Sequence, residues 1–236
     1  MMHEKPPVCV VVGVGPGNGA ALARRFAAEG YAVALLARTR ATSEALAREL
    51  PGARAYACDV TDAKSIGAAF AAIRSELGDP DTLVYNAGSG VWGTIEQIRP
   101  EDFEKSWRVN AWGAFVVCQE VIPAMKRAGG GNIVFIGATA SRRGGAKAAA
   151  FAPAKAAQRS LAESMARALW PAGIHVSLIV LDGVVDLPDT RKRMPDKPDS
   201  FFVAPAELAD VAFALTQQRR SAWSFEVEAR PFGETW

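Results

Sequence analysis

Short hydrophobic runs alternate with segments of helical period along almost the whole chain. The first run, residues 8–12, is apolar and of strand length, and residues 19–29 follow with Leu22 and Phe26 on one helical face. The same pattern predicts further strands at residues 31–37, 53–58, 81–85, 132–136, 174–180 and 223–228. It predicts further helices at residues 41–50, 61–77, 101–126, 149–169 and 205–217. Thr61 or Asp62 is expected to cap the third helix.

This alternation predicts an α/β fold. Strands separated by helices form a parallel sheet with helices on both faces, so we expect a single doubly wound Rossmann-type domain with seven strands, spanning residues 1–236. Right-handed crossovers and one reversal of strand order place a binding crevice at the carboxyl ends of the strands. Residues 182–203 are rich in proline and mixed charge and have no clear period, so we expect a solvated loop or lid there.

The turn after the first predicted strand is rich in glycine. It reads Gly13-Val14-Gly15-Pro16-Gly17-Asn18-Gly19, and a helix begins immediately. Gly13 can form the tight turn, Gly17 lets the backbone approach a pyrophosphate, and Gly19 lets helix and strand pack closely. The helix N-terminus offers free N–H groups and the positive end of its dipole to an anion. A glycine-rich turn without a ligand is the alternative, but the order of strand, loop and helix favours a dinucleotide.

The end of the second predicted strand bears on which dinucleotide is bound. In NAD-specific domains an acidic residue there bonds the ribose 2′-hydroxyl. Here the strand ends Leu36-Ala37-Arg38-Thr39-Arg40, without an acid. The planar guanidinium of an arginine pairs with phosphate oxygens, which suits a 2′-phosphate. We therefore predict NADP in preference to NAD, the alternative being that Arg38 and Arg40 are solvated residues at a helix start.

Composition and charge exclude other classes of function. The net charge of +2 is too small for a dedicated nucleic-acid or membrane-surface binder, and no basic stripe accompanies it. The three cysteines, Cys9, Cys58 and Cys118, lie in apolar stretches without metal-binding spacing. No apolar run approaches the ~18 residues of a membrane span and no signal peptide is recognisable. We expect a cytoplasmic protein without a metal site.

Three further motifs follow in an order typical of one family. Asp59-Val60 follows the third predicted strand, Tyr85-Asn86-Ala87-Gly88 follows the fourth, and Val109-Asn110-Ala111 lies in the long helix. Together with the GxxxGxG spacing of the first loop, they resemble the short-chain dehydrogenase/reductase family. The resemblance extends from Val8 to at least Gly183.

The resemblance implies a set of cofactor-binding residues for NADP. They are Gly13, Gly15, Pro16, Gly17, Asn18, Gly19, Arg38, Thr39, Asp59, Val60, Asn86, Ala87, Gly88, Val109, Lys155 and Gly183. Three positions depart from the family pattern. The usual threonine before the first glycine is Val12, the usual isoleucine of the loop is Asn18, and Tyr85 replaces the first asparagine of an Asn-Asn-Ala-Gly signature.

The family's catalytic residues match this chain only in part. Its Tyr-x-x-x-Lys pair, on one face of a helix, reads Phe151 and Lys155 here, and the serine about thirteen residues upstream falls on Ala138. Its asparagine is retained as Asn110. In the family the tyrosine is the general acid or base, the lysine lowers its pKa and holds the nicotinamide ribose, and the serine positions the carbonyl. A phenyl ring transfers no proton, which forfeits about 3–5 kcal/mol of barrier lowering.

Other residues are candidates for the missing proton donor. Asp182 stands where the family usually carries the proline of a Pro-Gly pair beside the nicotinamide, and a carboxyl buried there can have a raised pKa and act as an acid. A turn aspartate that caps the next segment is the alternative. Thr139 and Ser141 can hydrogen-bond a substrate or serve as turn residues. His175 lies within a predicted strand, which favours a core position.

Two functions follow from the partial match. The chain resembles a subgroup of the family that lacks the active-site Tyr and Ser, whose members are described as oxidoreductase-like. One hypothesis is an NADP-dependent oxidoreductase that transfers a hydride to or from a small carbonyl, alcohol or activated alkene with an unusual proton source. The other is a catalytically silent NADP-binding sensor, scaffold or partner subunit. The sequence does not indicate the small-molecule substrate.

The resemblance also implies a homo-oligomer. The two long helices form the dimer interface in relatives, and here they carry Trp107, Trp112, Phe115 and the face Ala154-Ala157-Leu161. The alternative is that these side chains pack within one chain. An aromatic C-terminus can build a second contact, and so a homotetramer, through Trp223, Phe225, Phe232 and Trp236.

Overall fold

The strands form a parallel sheet whose order reverses at its centre. The structure, a computed structural model, describes residues 5–233. Its strands are β1 (Val8–Val12), β2 (Ala32–Ala37), β3 (Arg54–Ala57), β4 (Thr82–Tyr85), β5 (Gly131–Ile136), β6 (Ile174–Leu181), β7 (Val184–Val185), β8 (Phe202–Val203) and β9 (Glu226–Ala229). Seven of them form the sheet in the order β3-β2-β1-β4-β5-β6-β9. The predicted seven-stranded α/β architecture is therefore confirmed.

The helices begin and end at residues suited to those positions. They are α1 (Asn18–Ala28), α2 (Arg40–Glu49), α3 (Ala63–Glu76), α4 (Pro100–Trp107), α5 (Gly113–Ala128), α6 (Phe151–Leu169), α7 (Pro188–Arg193) and α8 (Pro205–Thr216). The Asp62 side chain caps α3 by accepting from the N–H of Lys64 at 2.9 Å, as predicted. Gly129 ends α5 with a φ of +72°. No helix within residues 5–233 has the length and apolar character needed to cross a bilayer.

Two predicted elements differ from the structure. The long helix expected at residues 101–126 is divided between α4 and α5 by a π turn at Arg108–Trp112, which no local sequence signal announces. The last strand begins at Glu226 rather than at residue 223; a 3-10 turn at Arg220–Ala222 precedes it, and the Phe225 carbonyl accepts from the N–H of Leu178 at 2.7 Å. The expected loop at residues 182–203 contains short elements, with β7 and β8 paired to each other on either side of α7.

Alternating side chains of the strands enter two hydrophobic layers. In β1, Val8, Val10 and Val12 contact the layer that includes side chains of α3, α5 and α6. Cys9 and Val11 enter the opposite layer, which includes side chains of α1 and α8. Because β1, β4, β5 and β6 pair in parallel, the loops that follow them come together at the carboxyl edge of the sheet.

Candidate active site

Two glycines shape the loop between β1 and α1. Gly13 has a φ of +89°, in the left-handed region that favours glycine. A Cβ on Gly19 would lie 2.5 Å from the carbonyl oxygen of Gly13, so no other residue permits this approach of α1 to β1. No side chain caps the first turn of α1; the N–H of Ala20 donates to the carbonyl of Gly15 at 3.0 Å, and the N–H groups before it are the ones placed to meet an anion. These two glycines play the structural parts that the sequence predicts.

A cleft of about 500 Å³, the glycine-loop cleft, opens beside this loop. Its walls are Gly13, Val14, Gly15, Leu36, Ala37, Arg38, Cys58, Val60, Asn86, Ala87, Gly88, Ser89, Gly90, Lys105 and Val109. Asn86 Nδ2 donates to the carbonyl of Gly13 at 2.8 Å and so joins the loops after β1 and β4. The cleft lies where the strand order reverses, between β1 and β4, which is where open α/β sheets bind ligands.

Two cationic side chains line this cleft. Arg38 was predicted, but Lys105 of α4 was not, although it lies four residues before Val109. Asp59 lies in an adjoining recess that both cations also line. Its carboxylate accepts hydrogen bonds from the N–H and hydroxyl of Thr61 at 2.9 and 2.8 Å. The bond from the Thr61 N–H is the main reason that the pKa of Asp59 is lowered.

A second cleft, of about 570 Å³, adjoins the first and contains Phe151. This Phe151 cleft shares Asn86, Gly88, Ser89 and Gly90 with the glycine-loop cleft. Its apolar walls include Trp92, Ile136, Ala138, Ala140, Phe151, Leu181, Val185 and Leu187. The rings of Phe151 and Trp92 lie 4.9 Å apart between centroids at an angle of 43°. The region matched to the family's catalytic residues is therefore largely apolar.

Lys155 lies one helical turn after Phe151 and is almost completely buried. Its Nζ donates to the carbonyl of Ile136 at 2.9 Å and to Gln158 Oε1 at 3.0 Å. The ammonium lies 6.0 Å from the centroid of the Phe151 ring. Burial lowers the pKa of Lys155 to about 7, so a substantial neutral fraction exists near neutral pH.

Asn110 is fully buried in the π turn and does not line either cleft. Its Nδ2 donates to the carbonyl of Ser106 at 2.8 Å and to that of Ser89 at 3.3 Å. Its own carbonyl accepts from Gln158 Nε2 at 2.9 Å, so Gln158 links Asn110 to Lys155. Sequence reasoning did not select Gln158, because its only signal is a polar residue on the buried face of α6.

The raised pKa expected for Asp182 is wrong. Burial alone would raise it, but hydrogen bonds from Thr139 and Arg230, together with the charge of Arg230, hold the pKa of this carboxyl below its usual range. Arg230 and Asp182 form a largely buried ion pair. Asp182 is thus an ionised carboxylate near neutral pH. Thr139, a candidate for binding substrate, donates its hydroxyl to this carboxylate instead.

Gly17 is closely approached by a side chain from the segment 182–203. A Cβ on Gly17 would lie 2.5 Å from Cδ2 of Leu187, which precedes α7. The missing side chain therefore admits this apolar side chain, and the pyrophosphate contact expected at Gly17 stays a prediction. Leu187 was not among the predicted site residues, because its neighbour here is 170 positions away in sequence.

The remaining predicted residues fall into three groups. Asn18, Lys155 and Gly183 line the Phe151 cleft together with Phe151 and Ala138. Pro16 and Thr39 are exposed and line neither cleft. His175 is buried in β6, where its ring stacks on Trp223 at 4.7 Å between centroids, which confirms the core position.

The predicted interface face is exposed only in part. Trp107 and Phe115 are 41% and 46% exposed. Ala154 is buried within the chain, so its expected place on the interface face is wrong. Trp223 packs on His175 and Trp170, and Trp236 lies outside the described residues. Among residues 5–233 no group of three or more His, Cys, Asp or Glu side chains is placed to hold a metal ion.

Comparison with known proteins gives consistent matches over most of the chain. The family model described as short chain dehydrogenase matches residues 7–198. The 3-oxoacyl-(acyl-carrier-protein) reductase MabA of Mycobacterium bovis is 32% identical over 229 residues, covering 92% of this chain and 90% of the relative. The 2-(R)-hydroxypropyl-CoM dehydrogenase of Xanthobacter autotrophicus is 35% identical over 230 residues, covering 93% and 87%.

Solved structures agree with these matches. A short-chain dehydrogenase from Rhodopseudomonas palustris superposes with a TM-score of 0.83 at 33% identity, covering 97% of this chain and all of the other. A metagenomic short-chain oxidoreductase in complex with NADP has a TM-score of 0.83 at 29% identity, covering 97% and 98%. With the parallel sheet, the glycine loop and the cleft at the switch point, these matches show that the chain belongs to the short-chain dehydrogenase family.

Proposed function

We propose that the chain binds NADP in the glycine-loop cleft and is an oxidoreductase whose hydride transfer proceeds without a catalytic tyrosine. The observation that carries this proposal is the continuity of the two clefts through Asn86, Gly88, Ser89 and Gly90. Residues that suit a nucleotide line one cleft, and Lys155 with Phe151 lines the other. Reductases and dehydrogenases among the relatives, one with NADP bound, support the same reaction class.

The residues of the glycine-loop cleft fit NADP. A Cβ placed on Gly15 would meet no atom within 4 Å, so the loop leaves open space. Arg38 and Lys105 offer two cations at the same cleft, and the end of β2 carries no acid. Two positive charges favour the 2′-phosphate of NADP over the bare hydroxyl of NAD. Arg38 and Val60, with Asp59 in the adjoining recess, would hold the adenosine half.

The residues of the Phe151 cleft bear on how a hydride is transferred. Bound NADPH would supply a hydride to a small carbonyl or activated alkene, or NADP would accept one from an alcohol. Lys155 would bind the cofactor ribose, while Phe151 and Trp92 form an apolar wall. Neither Phe151 nor Ala138 carries a hydroxyl, which supports membership of a subgroup lacking the active-site Tyr and Ser. The proton therefore comes from a source other than these two positions.

A second candidate function is a catalytically silent NADP-binding sensor, scaffold or partner subunit. It is favoured by the Phe151 cleft, whose described lining contains no carboxyl side chain. Asp182, the proposed replacement acid, is held as a carboxylate by Arg230. In this function the glycine-loop cleft is retained for binding, and the Phe151 cleft has no chemical role.

A titration followed by a turnover assay tests both candidates. NADPH and NADH are titrated by the fluorescence of the nicotinamide, and NADPH consumption is then measured with carbonyls and activated alkenes. We expect NADPH to bind more tightly than NADH, and consumption with at least one substrate. Binding without consumption favours the silent protein. Absence of binding at millimolar nucleotide contradicts both.

We also propose that two copies associate through α4, α5 and α6, with a tetramer as the larger alternative. Trp107 and Phe115, which the structure leaves exposed on α4 and α5, support this interface. The variant Trp107→Lys with Phe115→Lys should sediment as a monomer in analytical ultracentrifugation. The same substitution at Ile95, which is 77% exposed and precedes α4, is the control. A dimer that survives the double change contradicts this interface.

A further inference from the structure

The amine of Lys155 lies at the floor of the Phe151 cleft among groups that carry no charge. The side chain is 5% exposed. Ile136 faces it from β5, Phe151 and Gln158 from α6, and the loop after β4 approaches it at Gly88. None of these groups titrates. Burial is accordingly the cause of the lowered pKa of Lys155.

The hydrogen bonds of Lys155 suit a neutral amine. An ammonium has three N–H donors, whereas a neutral amine has two and a lone pair. Among the described residues Nζ has two acceptors, the Ile136 carbonyl and Gln158 Oε1. Both N–H groups of the neutral amine are therefore satisfied, and its lone pair is left for another partner. The charged form would bury one donor without an acceptor from the protein.

The structure leaves space for a ligand near this amine. A Cβ on Gly88 would lie 3.5 Å from Asn110 Oδ1 and 3.9 Å from Nζ, so the absence of that side chain leaves the space beside these two groups free. Lys155 itself lines the Phe151 cleft, whose volume of about 570 Å³ is typical of small-molecule sites. Trp92 and Phe151, whose rings pack on each other, line the same cleft. The cleft therefore favours an apolar, planar ligand.

We propose that Lys155 is a nucleophile that captures an aromatic aldehyde in the Phe151 cleft as a Schiff base. This proposal does not rest on NADP binding or hydride transfer. It assigns to Lys155, in the chain without bound nucleotide, a covalent role besides the ribose contact of the proposed function, and it assigns to Phe151 and Trp92 the binding of the aromatic ring.

The reaction is a condensation without net oxidation. The Nζ lone pair forms a bond to the carbonyl carbon, and the π electrons move to oxygen, which takes a proton from nitrogen. The carbinolamine then loses its hydroxyl and the second nitrogen proton as one water molecule, leaving a C=N bond. Aldehyde and amine thus give imine and water, with no co-reactant.

The fraction of neutral amine supports this assignment. Because the pKa of Lys155 is lowered to about 7, about half of it is neutral at pH 7. An ordinary lysine, with a pKa near 10.4, holds on the order of 10³ times less neutral amine at that pH. Desolvation in the cleft activates the amine in the same way as in known Schiff-base lysines.

Reductive trapping with benzaldehyde tests the proposal on the full chain without nucleotide. Sodium cyanoborohydride supplies the hydride that converts the imine into a stable benzyl-lysine, and peptide mass spectrometry locates it. At pH 7 we expect Lys155 to be labelled at least about tenfold faster than exposed Lys64 and Lys126. Glyceraldehyde, which is polar and lacks a ring, should label Lys155 more slowly than benzaldehyde does.

Variants and peptide mapping keep the outcome clear. Lys155→Arg should lose the fast label, whereas Lys147→Arg, at an exposed position, should keep it. Because the label is located in the unchanged chain, the test does not depend on whether Lys155→Arg folds. Label on the exposed lysines with Lys155 unmodified overturns the proposal. Since no nucleotide is present, this failure is distinct from a failure to bind NADP.

Discussion

Gln158 connects Lys155 to Asn110 in one buried chain of hydrogen bonds. Lys155 Nζ donates to the side-chain oxygen of Gln158 at 3.0 Å, and the side-chain nitrogen of Gln158 donates to the Asn110 carbonyl at 2.9 Å. The side-chain amide of Gln158 thus pairs both with the Lys155 amine on α6 and with the Asn110 carbonyl in the π turn. The position of the lysine in the cleft is therefore coupled to the break between α4 and α5.

Gln158→Leu should destabilise the fold by about 1–3 kcal/mol. The leucine fills a similar volume but leaves the buried Asn110 carbonyl and one N–H of Lys155 without partners. Urea unfolding monitored by circular dichroism measures the change. The matched variant Gln217→Leu, at an exposed position after α8, should stay within about 0.5 kcal/mol of the parent. Equal costs for the two variants would contradict a structural role for the chain.

The sequence predicts the fold well because the determining signals are local. Alternating apolar runs define β1 to β6, and each strand falls within about two residues of its predicted range. The conformation of Gly13 and the close packing at Gly19 also follow from the sequence, since few other residues permit such a turn. The first cleft then follows from topology alone.

The details of the candidate site depend on residues that are distant in sequence, so local sequence patterns do not predict them. The pKa of Asp182 is set by Arg230, 48 positions later, so burial alone gave the wrong direction. Leu187 fills the space at Gly17 from a segment with no periodic signal. The π turn at Arg108–Trp112 has no composition signature and packs against α6, which is distant in sequence.

Restoring both hydroxyls should create a family-type active site. In Ala138→Ser with Phe151→Tyr, the new ring keeps its packing on Trp92 and gains a phenol near Lys155. We expect NADPH-dependent carbonyl reduction to rise about 10²- to 10⁴-fold above the parent, because a positioned general acid is worth that much. Initial rates with a ketone panel measure it.

The position of the added serine is the control for this experiment. Ala140→Ser with Phe151→Tyr places the hydroxyl two residues later in the same cleft. We expect it to gain less activity than the pair with Ala138→Ser. Equal activities would mean that Ala138 is not the position matched to the family's serine.

Arg38→Ala should weaken NADP binding and leave NAD binding unchanged. Hydrogen bonds to charged groups contribute about 1.5–3 kcal/mol, so the Kd for NADP should rise at least about tenfold. Isothermal titration with each nucleotide measures the two affinities. Arg40→Ala is the matched control, because Arg40 pairs with Glu44 on α2 at 3.0 Å and lines neither cleft. If the affinities for both nucleotides fall equally, Arg38 does not bind the 2′-phosphate.

Asp182→Asn should lower the free energy of unfolding at pH 7, and the difference from the parent should disappear in acid. The variant leaves the largely buried guanidinium of Arg230 without its Asp182 partner, at a cost of up to about 3–5 kcal/mol, which Glu228 at 3.4 Å lessens. Because folding lowers the pKa of Asp182, its contribution is present above about pH 5 and is lost as the pH falls below about 4, through the folded-state value. Urea unfolding of parent and variant at several pH values measures the difference.

The control variant Asp189→Asn, at an exposed position of α7, should change the stability little at any pH. A variant more stable than the parent at pH 7 would instead mean that the folded chain raises the pKa of Asp182, and would return it to the set of candidate acids.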